Sequence, residues 1–68
     1  MRVLHITPWE RGVLERLAGG APTTDIARQL GLNDREIESS LAMLFARMGV
    51  ADRAEAVAVA VRRGLLAA

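Results

Sequence analysis

Apolar residues recur at helical spacing in four stretches separated by short breaks. Val13, Leu14 and Leu17 share one side of a first segment, and Ile26, Ala27 and Leu30 share one side of a second. In a third, Ile37, Leu41, Leu44 and Met48 line one face with Phe45 beside them. The fourth, Ala54 to Val61, is almost wholly Ala and Val, so its periodicity is weak. Stepping about 100° per residue points Val57 and Val61 inward, near Ala54, Ala60 and Gly64, and leaves Glu55, Val59, Arg62 and Arg63 outside.

The breaks carry start and stop signals. Thr7 can cap the first helix, Pro8 suits its first position, and Glu10 completes a capping box. That helix runs to about Ala18, where Gly19-Gly20-Ala21-Pro22 turns the chain. The second covers roughly Thr23 to Leu30, capped by Thr23 or Thr24, with Asp25 in the first turn where the helix dipole favours an anion. Gly31 stops it, and Asn33 or Asp34 caps a third helix, Asp34–Met48. After Gly49, Asp52-Arg53-Ala54-Glu55 reads as another capping box, for a helix reaching about Arg63. The expectation is a single all-α domain over residues 1–68. It is a four-helix domain containing a helix-turn-helix, because the second and third helices are joined by a three-residue turn with Gly. The second helix of such a pair is the one shaped to enter a DNA groove.

Composition narrows the chemistry. A chain of 68 residues is near the size at which one core only just suffices. The absence of cysteine excludes disulfides and thiolate metal sites, and the lone His5 has no companion ligands, so no metal is expected. The longest apolar run, Ala56 to Val61, falls far short of the ~20 residues of a membrane span. Met1 to Ile6 turns polar too soon for a signal peptide, which makes a cytoplasmic protein the default. There is no phosphate-binding loop and no Ser-His-acid set, and Glu36 and Glu38 do not face each other on a helix. Neither an enzyme nor a cofactor is expected. Trp9, at the edge of the first helix's inner face, reads as core packing ahead of a partner contact.

Charge is less helpful. All nine cations are Arg, which suits bidentate recognition of phosphate, but eight acids leave a net charge of only +1. On the third helix Arg35, Ser39, Ala42 and Ala46 point outward, with Glu38 on one flank and Glu36 and Met43 on the other. Asp34 to Arg47 sums to −1, from three acids and two Arg, so phosphates find little attraction there. Arg28, Arg35 and Arg47 remain within reach of a backbone, and Arg53, Arg62 and Arg63 read as ordinary helix-end and surface charges, with contact to phosphates as the alternative. The small outward side chains admit either a DNA groove or another helix. On the last helix Val59 with Ala56 or Ala58 can pack against a second copy across a two-fold axis. Glu55, seven residues before Arg62, can then pair with it across the interface.

The motifs T-P-x-E, I-A-x-x-L-G, M-G-V-x-D-R-A-E-A and R-R-G-L-L, at these spacings between Ile6 and Leu66, resemble the LuxR/GerE-type helix-turn-helix family. The resemblance implies a four-helix domain, sequence-specific DNA binding through the third helix and dimerisation through the fourth. It also implies a place behind a receiver or ligand-binding domain in a longer regulator. Core and helix-breaking positions match the family, while the polar surface departs from it. Thr23-Thr24 stand where the family commonly has Asn-Lys, and Pro22 where it has a capping Ser. Glu36, Ile37, Glu38 and Ser40 replace its usual Thr-Val-Lys and His, and Ala42 replaces a frequent Lys or Arg. Trp9 and Gly12 stand where charged residues are usual.

The expected DNA-contacting set is therefore Thr23, Thr24, Arg35, Glu38, Ser39, Ala42, Met43 and Arg47, with Glu38 able to accept from a cytosine amino group. The expected dimer contacts are Glu55, Ala58, Val59 and Arg62. The partners this implies are double-stranded DNA and a second copy of the chain. The alternative is a helix-turn-helix kept as a protein-interaction module, with a partner helix over Ala42, Met43 and Ala46.

Overall fold

A computed structural model describes residues 5–66 as four helices: α1 Pro8–Ala18, α2 Thr23–Leu30, α3 Asp34–Met48 and α4 Arg53–Arg62. Met1 to Leu4, the start of the stretch weighed as a leader, lie outside the described residues. α2 packs on α1 and α3, and α4 also packs on α1 and α3.

Helix starts follow the local chemistry. Thr7 Oγ1 accepts from the Glu10 N–H at 3.0 Å while Glu10 Oε1 accepts from the Thr7 N–H at 2.9 Å, closing the capping box of α1. Asn33, of the two candidates, caps α3 and exchanges the same pair of bonds with Glu36, at 2.8 and 2.9 Å. Two expectations need correction. The N-cap of α2 is Pro22, not Thr23 or Thr24, and no side chain caps that end. Pro22 is held in an extended conformation and its carbonyl already accepts the first helical bonds, so Thr23 is inside the helix. At α4, Asp52 Oδ1 accepts from the Glu55 N–H at 2.9 Å, but the Glu55 carboxylate reaches past Asp52 to the Ala51 N–H at 3.1 Å. The box is half formed, with its return bond displaced by one residue.

The core is built by Val13, Leu14 and Leu17 of α1, Ile26 and Ala27 of α2, Ile37, Leu41, Leu44 and Met48 of α3, and Ala56, Val59 and Ala60 of α4. Three helices bury the faces their sequences predict. α4 does not: Val59 is buried and Val61 is 37% exposed, the reverse of the expectation, while Val57 is half-buried. A helix of Ala and Val has no strongly polar side to set its rotation. Its seating is decided by the long side chains of α1 and α3, against which Ala56 and Ala60 lie flush. Trp9 is likewise corrected: it is 43% exposed and takes no part in the core.

Three arginines tie helices together, Arg16 of α1 among them, which donates from Nε to Gln29 Oε1 of α2 at 2.9 Å. Arg53, expected to be an ordinary surface charge, donates from Nη2 to the Leu17 carbonyl at 3.1 Å and also to the Ala21 carbonyl. It thereby satisfies acceptors at the C-terminal end of α1 from the first residue of α4. Arg47 of α3 pairs with Glu10 of α1, the single buried charged residue among those described.

Candidate nucleic-acid interface

The turn between α2 and α3 sets the angle at which α3 leaves the domain. Gly31 adopts φ 72°, ψ 27°, a left-handed conformation that a side chain disfavours. The Leu32 N–H then returns to the Ala27 carbonyl at 2.8 Å, closing α2 tightly before Asn33 starts α3.

With Ile37, Leu41, Leu44 and Met48 buried, the opposite side of α3 is open along its length. Arg35, Glu38, Ser39, Ala42, Met43 and Ala46 are all exposed, as their positions in the helical repeat predict. Thr23, Glu38 and Ala42, nineteen residues apart at the extremes, come together on one open groove lined also by Phe45, Ala46 and Val50. Arg35 and Ser39 occupy the crest of the helix beside it, and Thr24 is exposed on the first turn of α2. Met43, 66% exposed, belongs to the opposite flank, the one that carries Arg47 toward α1.

The electrostatics are sparse. Arg47 is committed to Glu10, so it is a tie between α1 and α3 before it is a phosphate contact. Burial pushes the Glu10 carboxyl up, but the bonds and charge supplied by Arg47, with those from Thr7, outweigh it and hold the group below its ordinary value. Arg28 lies 3.8 Å from Asp25 in an exposed pair that solvent largely screens. The Glu36 carboxylate is occupied by the Asn33 N–H. Among the described residues Arg35 and Glu38 make no ion pair and no side-chain hydrogen bond, leaving both heads available on the open face.

Residue patterns alone did not reveal the Glu10–Arg47 tie, the Arg53 clamp or the part Phe45 and Val50 play in the groove. The first two join residues 37 and 36 or fewer positions apart, across helices whose mutual rotation no local motif records. Of the expected dimer contacts, Glu55, Ala58 and Arg62 are exposed and Val59 is not. The exposed apolar positions of α4 are Ala54, Ala58 and Val61, spaced one turn apart on one side. No described helix is long and apolar enough to cross a membrane.

Residues 4–60 match the family described as bacterial regulatory proteins, luxR family. The chain is 36% identical over 59 residues to a Mycobacterium bovis protein named as an HTH-type transcriptional regulator, covering 87% of this chain and 7% of that protein. It is 34% identical over 62 residues to the transcriptional regulatory protein YdfI of Bacillus subtilis, covering 91% of this chain and 29% of YdfI. It is 36% identical over 62 residues to the response regulator Rre1 of Synechocystis sp., covering 91% of this chain and 27% of that protein. The chain thus spans under a third of each of these relatives. No solved structure gives a significant match.

Proposed function

The chain belongs to the LuxR family of bacterial regulatory proteins, and from that premise we propose how its helix-turn-helix serves a transcriptional regulator. α3 enters the major groove of double-stranded DNA with Arg35, Glu38, Ser39 and Ala42 toward the base edges. Thr23 and Thr24, at the N-terminal end of α2, bond the flanking phosphates through hydroxyls and backbone N–H groups. Met43 and Arg47 lie at the margin of this surface, because Arg47 is held by Glu10. The observation that carries the reading is the unobstructed outward side of α3, lined with small side chains, on a scaffold whose buried side is complete. Such a protein works in the cytoplasm, where bacterial DNA lies.

Two copies bind together in this reading, through α4. The exposed stripe Ala54, Ala58 and Val61 supplies the apolar contact in place of the buried Val59, and Glu55 and Arg62 flank it. The use of the fold as a protein-interaction module has less behind it, since the relatives are named as regulators.

Fluorescence anisotropy with mixed duplex DNA tests the reading. Binding that weakens on going from about 50 to 200 mM salt is the expected result. The salt slope should be shallow, because Arg35 and the screened Arg28 are the cations that α2 and α3 have to offer. No binding at about 50 mM salt would refute it.

A further inference from the structure

The acid in the middle of α3 has no structural task. Glu38 is exposed and caps nothing, and among the described residues it makes no ion pair, not even with Arg35 three residues earlier. It stands at the rim of the groove formed with Thr23, Ala42, Phe45, Ala46 and Val50. We propose that Glu38 makes this domain select a cytosine in the major groove, its carboxylate accepting from the N4 amino group of that base. The proposal rests on the DNA-binding reading above and adds to it the base that α3 prefers.

The argument is one of donors and acceptors. An ionised carboxylate only accepts hydrogen bonds. In the major groove guanine offers N7 and O6, both acceptors, and thymine offers the O4 acceptor and a methyl group. Those edges face a carboxylate with lone pair against lone pair. Adenine has one donor, N6, but its N7 acceptor lies alongside. Cytosine presents the N4 donor alone, so it is the edge that a carboxylate meets without repulsion. Phe45, Ala46 and Val50 beside Glu38 carry no side-chain hydrogen-bonding group that could compete for the carboxylate. Ala42, one turn further along the same flank, is too short to compete for the base and leaves room for a thymine methyl on a neighbouring pair.

Selection from a randomised duplex pool, long enough for two half-sites a helical turn apart, tests this at low salt. The parent chain, Glu38→Gln and Glu38→Ala are selected in parallel, with far-UV circular dichroism confirming that each is folded. In the parent pool one position should be enriched in C·G by roughly tenfold over the other pairs, within the range of a good base contact. Glu38→Gln should move that same position to A·T, because a carboxamide bonds adenine N6 and N7 together. Glu38→Ala should flatten that position and leave the others as they were. Both variants lose the same charge, so an acid that acts only by repelling phosphates would raise affinity equally in the two and leave every position unchanged. That outcome would overturn the proposal while leaving DNA binding standing. Failure of the parent to bind any duplex in the pool would overturn both.

Discussion

Replacing Glu10 with Gln removes the charge and one of its two acceptor oxygens. A glutamine carbonyl can still accept the Thr7 N–H that Glu10 holds at 2.9 Å, so the start of α1 keeps its cap. Arg47, reaching over from α3, then faces the amide NH2, a donor, where Oε2 had accepted its hydrogen bond. A hydrogen bond to a charged group contributes about 1.5–3 kcal/mol. The Arg47 side chain is 47% exposed against 12% for Glu10, so solvent screens the pair. The expected loss is therefore about 1–1.5 kcal/mol at neutral pH. In a domain of this size that lowers Tm by about 4–10 °C. The pH dependence fixes the cause. Because folding lowers the Glu10 pKa, its contribution is complete above the ordinary carboxylate value of 4.5 and is lost as pH falls through the folded value. Thermal melts of the parent and Glu10→Gln should differ at pH 7 and converge as pH is taken well below 4.5. A difference of equal size across that range would refute the ion-pair explanation. So would a double-mutant cycle with Arg47→Met that shows no coupling.

Other perturbations test other joints. Gly31→Ala meets no atom within 4 Å of the added carbon, so its cost is the left-handed backbone alone, about 1–2 kcal/mol by urea unfolding. Arg53→Met keeps the stem but takes the guanidinium from the Ala21 carbonyl and leaves the Leu17 carbonyl with the Gly20 N–H, and should destabilise the domain by about 1–2 kcal/mol. Arg35→Ala should weaken binding to all duplexes and make the salt slope shallower by about one unit. Glu38→Lys should do the opposite, raising overall affinity and steepening the slope by a similar amount while blurring sequence preference.

The residues that spoke plainly in the sequence are those whose role is local. Thr7 with Glu10, Asn33 ahead of α3, and Gly31 and Gly49 at helix ends each act within four residues, and each occupies its expected place. The long aliphatic residues of α1 and α3 fix those helices' rotation unaided, because Leu and Ile contrast with charged neighbours. α4 offers no such contrast: seven of the eight residues from Ala54 to Val61 are Ala or Val, and the side buried depends on what α1 and α3 present to it. Pro22 shows another limit, since the threonines after it looked like better caps than a residue with no side-chain acceptor. Trp9 stands one turn before Val13 at the edge of the buried face of α1, and its bulk suggested the core, yet it is left 43% exposed. The outward set on α3 was legible as positions on a helix. That Arg47 belongs to Glu10, and that Thr23 meets Glu38 and Ala42 at a groove, depends on how three helices assemble.

The measurement closest to the central claim is a titration of the 15N-labelled chain with duplex DNA, followed by amide chemical shifts. If the open side of α3 is the reading surface, shifts should concentrate at Thr23, Thr24, Arg35, Glu38, Ser39 and Ala42, leaving the outer side of α1 unmoved. Shifts confined to α1 or α4, or none at saturating duplex in low salt, would contradict it.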